Sequence, residues 1–184
     1  MQQKEIHLSQ LKEAAADLRA GDSCLLTGYL YTARDAAHKR LSSIMEEGGE
    51  LPIDFDGAVI YYAGPTQARE GMAVGACGPT TAGRMDTYTP TLFSMGLAAT
   101  IGKGERSPAV VEAMKKHGGV YFCAIGGAGA LASACIKSCE VISFPELGCE
   151  SLKKMYVEKF PVILAIDSQG NNLYEQGKQK YKID

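Results

Sequence analysis

Short apolar segments with strand character alternate with helix-like segments along most of the chain. Strand patterns lie at 23–31, 58–62, 99–101, 120–125, 140–144 and 160–166. A chain that alternates strands and helices buries the strands in a sheet covered by helices, so we expect an α/β fold with a mixed sheet. Because 184 residues suffice for one hydrophobic core of ordinary size, a single domain over residues 1–184 is predicted.

Helix signals occupy the stretches between the predicted strands. Thr32 is a candidate N-cap for a helix that extends to Glu47, where two glycines follow. Ser107 followed by Pro108 marks another helix start. Further helix-like stretches lie at 9–20, around Pro90, and at 127–137 and 150–156.

Charge and composition exclude several classes of partner. The chain has 19 Lys and Arg residues against 21 Asp and Glu residues, without the basic excess that binding to a phosphate backbone requires, so we expect no nucleic-acid partner. The absence of both an apolar run of eighteen residues and a signal-peptide pattern predicts a cytoplasmic protein with no membrane association. Six cysteines are expected to be free thiols, because a core of this size needs no disulfides.

A glycine-rich segment follows the strand predicted at 120–125. From Gly127 it fits the pattern Gly-x-Gly-x-x-Ala, with Gly129 and Ala132 as the other members. Glu146 stands near the end of the next predicted strand, where an acid that binds a ribose hydroxyl would lie, so one interpretation is a stand-alone dinucleotide-binding module. The alternative is close packing of a small-residue helix, which the shortness of the motif favours.

Two further segments carry groups suited to holding an anion. The loop Gly-Pro-Thr-Thr-Ala-Gly-Arg (78–84) presents the hydroxyls of Thr80 and Thr81 and the guanidinium of Arg84 from a turn shaped by glycine and proline. Such a loop can hold a carboxylate or a phosphate, or it can be an ordinary strand-to-helix turn. Lys103 lies between two glycines directly after a predicted strand, where binding groups gather in α/β folds.

The helix after Thr32 adds a second arginine. Arg34 and Asp35 fall in its first turn, and His38 lies four residues after Arg34 on the same face. Positive charge is mildly unfavourable near a helix N-terminus, so anion recognition would give Arg34 a purpose there. A solvated arginine and a histidine packed within the fold are the alternatives.

Five segments together carry a more specific pattern than any single motif. They are Thr-Ala-Arg-Asp-Ala-Ala-His-Lys-Arg-Leu (32–41), Tyr-Tyr-Ala-Gly-Pro-Thr (61–66), Gly-Pro-Thr-Thr-Ala-Gly-Arg-Met-Asp (78–86), Ile-Gly-Lys-Gly (101–104) and Phe-Pro-Glu-Leu-Gly (144–148). In this order they resemble the C-terminal domain of class I fumarate hydratases. In the two-subunit enzymes, and in the similar L(+)-tartrate dehydratases, this domain is a separate β subunit.

The resemblance implies a swivelling β/β/α domain and an iron–sulfur hydro-lyase that acts on a four-carbon dicarboxylate. It implies a hetero-oligomer in which a partner α subunit ligates a [4Fe-4S] cluster through three cysteines, with no metal ligand in this chain. It does not distinguish fumarate from tartrate.

Residue by residue, the resemblance assigns Thr80 to the family's proposed catalytic base. Contacts with substrate carboxylates fall on Arg34, Arg84 and Lys103. The candidates for supporting positions around them are Asp35, His38 and Thr81. Fixed cations suit this chemistry, because removing a proton beside a carboxylate builds up negative charge. A hydroxyl is a weak base, so Thr80 would need neighbouring positive charge or a coupled proton acceptor.

Overall fold

The computed structural model describes residues 3–182. The strands within that range are β1 Lys4–His7, β2 Ser23–Thr32, β3 Val59–Tyr61, β4 Ala99–Gly102, β5 Val120–Cys123, β6 Ile136–Ser143 and β7 Leu152–Ile166. The α-helices are α1 Leu11–Ala14, α2 Asp35–Glu46, α3 Thr89–Ser94, α4 Pro108–His117, α5 Gly129–Ala134 and α6 Leu173–Tyr181. Short 3₁₀ segments lie at Leu8–Gln10, Ala15–Asp17, Ala82–Met85 and Pro145–Glu150.

The seven described strands form one mixed sheet in the order β1-β2-β3-β4-β5-β7-β6. Strands β1 to β5 pair in parallel, whereas β7 is antiparallel to β2, β5 and β6. Because β7 is fifteen residues long and pairs with both β2 and β5, the pairings close a circuit through β2, β3, β4, β5 and β7. The expected α/β fold with a mixed sheet is confirmed.

Two hydrophobic cores lie on opposite faces of the sheet. Neighbouring residues of β3 show the division, because Val59 and Tyr61 belong to one core and Ile60 belongs to the other. This alternation is the period of two that a pleated strand imposes. The second core also contains the buried faces of α2, α3 and α4. These three helices therefore cover the sheet on the side of Ile60, whereas Leu11 of α1 and Ala132 of α5 pack in the other core.

The second half of the chain contains more strand than its sequence pattern predicts. The predicted helix at 150–156 is wrong, because Leu152 to Tyr156 form the first part of β7 and pair with both β2 and β6. The predicted helix at 127–137 is shorter than expected, since α5 ends at Ala134 and β6 begins at Ile136. Pairing on both sides supplies backbone hydrogen bonds that a local helix pattern does not anticipate.

The helix boundaries near the chain's start also differ from the predictions. Thr32 is the last residue of β2 rather than an N-cap, and the N-cap of α2 is Arg34, whose backbone is extended. The opening helix predicted at 9–20 is reduced to α1 between two 3₁₀ turns. Strand β1 and helix α6 were not predicted. No helix within residues 3–182 has the length and apolar character needed to cross a membrane.

Candidate functional site

The candidate site lies where three neighbouring parallel strands end. Arg34 follows the end of β2 by two residues, and Lys103 follows the last residue of β4. Strand β3 lies between them and leads through Tyr62 into the next loop. The carboxyl ends of parallel strands form the edge at which α/β proteins commonly bind ligands. The topology therefore brings together segments that are about seventy residues apart in the sequence.

The backbone of the loop 78–86 docks onto this edge. Thr80 N–H donates a hydrogen bond to the Tyr62 carbonyl at 2.7 Å, and the Thr80 carbonyl accepts from Lys103 N–H at 3.2 Å. Ala82 N–H then donates to the Lys103 carbonyl at 2.8 Å. Gly102 permits this approach, because a Cβ there would lie only 3.0 Å from both Ala82 Cβ and Tyr62 Cδ2. The backbone thus holds Thr80 next to Lys103.

Thr81 belongs to the same contact. It forms an isolated parallel bridge with Lys103, and its side chain is exposed. An added Cβ at Gly126 would lie 3.6 Å from Lys103 Cδ, which locates the lysine stem against the glycine-rich segment. Lys103 is itself exposed, so its ammonium group is accessible at the open edge of the site.

Two arginines and two carboxylates form an ion-pair cluster beside the loop. Arg84 Nε lies 2.8 Å from Asp35 Oδ1, and Arg34 Nη2 lies 3.0 Å from Glu150 Oε1. The other oxygen of Glu150 accepts a hydrogen bond from Ala36 N–H at 2.9 Å. The structure therefore brings Arg34, Asp35 and Arg84 together in one cluster. Glu150 is an additional member that the sequence motifs did not indicate.

Several buried polar atoms of this region lack a hydrogen-bond partner among the described residues. They are Thr32 Oγ1, Arg34 Nε, Asp35 Oδ2 and His38 Nε2. Arg34 Nε lies 3.5 Å from Asp35 Oδ2 but does not hydrogen-bond to it. Buried polar groups are nearly always paired in folded proteins, so a concentration of unpaired ones at a single junction is typical of a binding site. The guanidinium of Arg34 is therefore only partly paired by the described residues.

His38 lies beneath this cluster and is buried. Its Nδ1 lies 3.0 Å from the Arg34 carbonyl, and its ring packs edge-on against Tyr62 at a centroid distance of 5.4 Å. Burial lowers the pKa of His38 to about 4, an effect opposed by the hydrogen bond to Arg34 and reinforced by the charge of Arg106. His38 is therefore neutral at pH 7 and supports the backbone at Arg34.

A third arginine, Arg106, is fully buried and binds Asp86 at the end of the loop 78–86. Arg106 Nε donates to Asp86 Oδ1 at 2.7 Å, and its two terminal nitrogens donate to Thr100 and Thr89 at 2.9 Å each. The guanidinium carbon also lies 5.2 Å from the centre of the Tyr62 ring. Neither Arg106 nor Asp86 was singled out in the sequence, although both lie within or next to its motifs. Only the tertiary structure pairs them.

The glycine-rich segment serves packing in this fold. Cys77 N–H donates to the Gly129 carbonyl at 3.0 Å, and a Cβ at Gly129 would lie 3.1 Å from Gly78 N. Helix α5 has only six residues, and the strand after it, β6, pairs antiparallel with β7 rather than in parallel with β5. A dinucleotide site requires a parallel strand–helix–strand unit, and Glu146 instead forms an exposed ion pair with Arg40. The geometry favours the packing interpretation.

A cleft of about 410 Å³ opens beside the ion-pair cluster. It is lined by the segment Pro65–Ala68 and by the turn at Gly148 and Cys149. The Cys149 carbonyl would lie 3.3 Å from a Cβ at Gly64, which in turn would lie 3.1 Å from Arg34 Nη1. Thr80, Arg84 and Lys103 do not line this cleft. Arg84 and Lys103 are exposed, and Thr80 is partly exposed.

The described side chains offer no evident metal site. No group of three or more His, Cys, Asp or Glu residues in that range could hold a metal ion. The six cysteines are free thiols, and Cys24 and Cys77 are buried. The described residues therefore do not fit an iron–sulfur cluster.

Comparison with protein families gives a match over almost the whole chain. A family model described as the fumarase C-terminus matches residues 1–177. The chain is 43% identical over 175 residues to the aerobic class I fumarate hydratase of Escherichia coli K12, covering 94% of this chain and 31% of that protein. It is 42% identical over 171 residues to fumarate hydratase 2 of Leishmania major, covering 92% of this chain and 30% of that protein.

A third relative has a length close to that of this chain. The chain is 33% identical over 175 residues to a protein of Methanocaldococcus jannaschii named putative L(+)-tartrate dehydratase subunit beta. The match covers 92% of this chain and 90% of that relative. The chain thus spans less than a third of the length of the two fumarate hydratases and nearly all of a protein named as a subunit.

Proposed function

Because this chain belongs to the fumarase C-terminus family, we propose that it is the β-type part of a hydro-lyase that adds or removes water on a four-carbon dicarboxylate. The substrate would be fumarate with malate, or tartrate with oxaloacetate. The observation that carries the proposal is that the loop of Thr80 is hydrogen-bonded to Lys103 and brings Arg84 into one ion-pair cluster with Arg34, at the carboxyl ends of parallel strands. Relatives named fumarate hydratase and tartrate dehydratase support the reaction class.

The three cations suit a substrate that carries two carboxylates. Arginine presents a planar fork that can bind a carboxylate through two parallel hydrogen bonds, whereas lysine supplies a compact charge. Arg34 pairs most closely with Glu150 and Arg84 with Asp35, and both arginines remain partly exposed, with 23% and 52% of their side chains accessible. They can therefore bind a dianion without first leaving a buried network. Their charge would also stabilise the negative charge that develops when a proton leaves the carbon beside a carboxylate.

Thr80 would act on the proton of that carbon. In the dehydration direction this C–H bond breaks, the hydroxyl leaves the neighbouring carbon and a carbon–carbon double bond forms. The Thr80 hydroxyl can take the proton only if its own proton is passed on, or if nearby positive charge favours its ionised form. The backbone hydrogen bond between Lys103 and Thr80 makes Lys103 the candidate source of that charge.

A partner would complete the site. The described residues do not fit a [4Fe-4S] cluster, so such a cluster would be ligated by an α subunit, and in a hydro-lyase it would act as a Lewis acid. The word subunit in the name of the Methanocaldococcus relative supports a hetero-oligomer. So do the exposed apolar side chains of Ile125 and Leu131, which flank the segment that contacts Lys103. A single swivelling domain over residues 1–184 and a cytoplasmic location stay predictions.

The proposal is tested by recovering the chain with its partner. The tagged chain would be expressed in its native host, purified without oxygen and assayed for fumarate hydration and tartrate dehydration. We expect a copurifying protein, bound iron and sulfide, and turnover of one of the two acids. An isolated chain that binds NAD(H) saturably, and less tightly after Glu146→Ala, would instead favour the dinucleotide interpretation.

A further inference from the structure

Glu150 contacts the site from a part of the chain more than a hundred residues after Arg34. One oxygen of its carboxylate pairs with Arg34 Nη2 at 3.0 Å, and the other accepts a hydrogen bond from Ala36 N–H at 2.9 Å. Glu150 therefore holds both the guanidinium of Arg34 and the first turn of α2. Fixing these two points together sets the direction in which the Arg34 side chain leaves its backbone.

The turn that carries Glu150 is itself rigid. The ammonium group of Lys153 donates to the carbonyls of Gly148 and Cys149 at 2.9 and 3.1 Å and to Ser151 Oγ at 2.6 Å. Lys153 is buried, and desolvation lowers its pKa. Gly148 has φ +59° and ψ −117°, a conformation that residues with a Cβ rarely adopt. A charged group on such a turn has little freedom to follow a moving partner.

Asp35 lies within ion-pair distance of both arginines, whereas Glu150 pairs with Arg34. Asp35 pairs with Arg84 at 2.8 Å, whereas its other oxygen lies 3.5 Å from Arg34 Nε and makes no hydrogen bond there. Without Glu150, Arg34 would have Asp35 as its nearest anion and would compete with Arg84 for it. Glu150 thus gives Arg34 a closer anion than Asp35, which leaves Asp35 mainly to Arg84.

We propose that Glu150 is a positioning residue that aims Arg34 at a carboxylate of the substrate. This inference rests on the proposed function of the site. Glu150 acts through Arg34 and not on the substrate, so the substitution of Glu150 should matter only while Arg34 is present. Outer partners that orient a functional side chain typically contribute about tenfold or more to activity.

A double-mutant cycle in the purified complex with the α subunit tests the inference. We expect Glu150→Gln to lower kcat/KM about tenfold, mainly through a higher KM, and to have no further effect in an Arg34→Ala background. The control is Glu146→Gln, in the same 3₁₀ segment, because Glu146 pairs with Arg40 at the surface and not with Arg34. Equal losses with and without Arg34 would overturn the inference.

A second measurement needs no turnover. In ¹⁵N-labelled chain, nuclear magnetic resonance of the arginine side chains reports how freely each guanidinium group rotates. We expect Glu150→Gln to speed the rotation of Arg34 and to leave Arg106 unchanged. A native complex that turns over neither acid, while Glu150→Gln still speeds the rotation of Arg34, would contradict the proposed function and confirm that Glu150 restrains Arg34. An Arg34 signal that Glu150→Gln does not change would overturn the inference whatever the activity.

Discussion

Arg34 and Arg106, which both lie near the loop 78–86, differ in how fully their donors are used. Arg106 has no exposed side-chain surface and donates to Asp86, Thr89 and Thr100. Arg34 keeps 23% of its side chain exposed, pairs through one terminal nitrogen with Glu150, and has no hydrogen-bond partner for Nε within the described chain. A fully paired buried arginine holds structure, whereas a partly paired one at an open edge can bind a ligand.

The loop connects these two environments. Asp86 at its end accepts from both Arg106 and the backbone N–H of Ser107. Thr80 and Arg84, earlier in the loop, reach the open edge. A rigid anchor thus supports functional groups that do not contribute to the core, as precise placement of a site requires. Substitutions at the exposed positions of the loop should therefore lower activity, whereas a substitution of its buried anchor Arg106 should lower stability.

The largest effect is expected at Thr80, where a substitution should lower activity but leave stability almost unchanged. We expect Thr80→Ala to lower kcat in the assembled complex by about 10³-fold or more, about 4 kcal/mol, because the group that removes the proton is lost. The free energy of unfolding should change by less than about 0.5 kcal/mol, since the hydroxyl is not in the core. Steady-state kinetics measure kcat, and urea unfolding measures the free energy of unfolding. Near-normal turnover would remove Thr80 from the role of base.

At the buried end, Arg106→Met should act on stability. We expect a loss of about 4 kcal/mol in the free energy of unfolding, because Asp86 would keep its charge without its buried partner. Urea denaturation provides the value. Arg40→Met is the matched control, since the ion pair of Arg40 with Glu146 is exposed and should contribute less than about 0.5 kcal/mol. Similar losses in both variants would contradict the contrast between buried and open arginines.

His38, which lies between the two clusters, should make stability depend on pH. The unfolded chain binds a proton at His38 below its ordinary pKa of 6.5, whereas the folded chain does so only near its lowered pKa of about 4. Lowering the pH from 6.5 to 4 therefore favours unfolding, by up to about 3 kcal/mol from this group. Above pH 6.5 both states are neutral at His38 and this dependence ends.

Unfolding of the native chain and of His38→Gln across that pH range would isolate this contribution. The difference between the two pH profiles should be confined to the window between pH 6.5 and 4. The exposed His117, at the end of α4, provides the control variant His117→Gln. Profiles that stay parallel for native protein and His38→Gln would show that His38 is not buried as a neutral group.

The smallest of these effects is expected from Arg84→Lys, at an exposed position of the loop. An ammonium group cannot reproduce a two-point contact with a carboxylate, so kcat/KM should fall roughly 30-fold, about 2 kcal/mol. The free energy of unfolding should stay within about 0.5 kcal/mol, because half of the Arg84 side chain is exposed. Unchanged kinetics would exclude Arg84 from the substrate contacts.

The parts of the site that were predictable are those in local motifs. Arg34 and Asp35 at a helix start, and Thr80 and Arg84 in a glycine-shaped turn, are recognisable from residue type and spacing. Glu150 and Arg106 were missed because their roles depend on partners distant in sequence: Glu150 pairs with Arg34, and Arg106 pairs with Asp86. No local pattern distinguishes such residues from ordinary surface charges.

The fold likewise has features that the sequence predicts and features that depend on distant parts of the chain. The α/β class, the mixed sheet and the position of most strands were determined by the sequence alone, because burial imposes its period on the choice of apolar residues. Only the tertiary structure decided that residues 152–156 form part of β7, since strands on both sides satisfy their backbone hydrogen bonds. Only the tertiary structure, likewise, left Arg34 partly unpaired and Arg106 fully paired, because ion pairing depends on distances that chain topology sets.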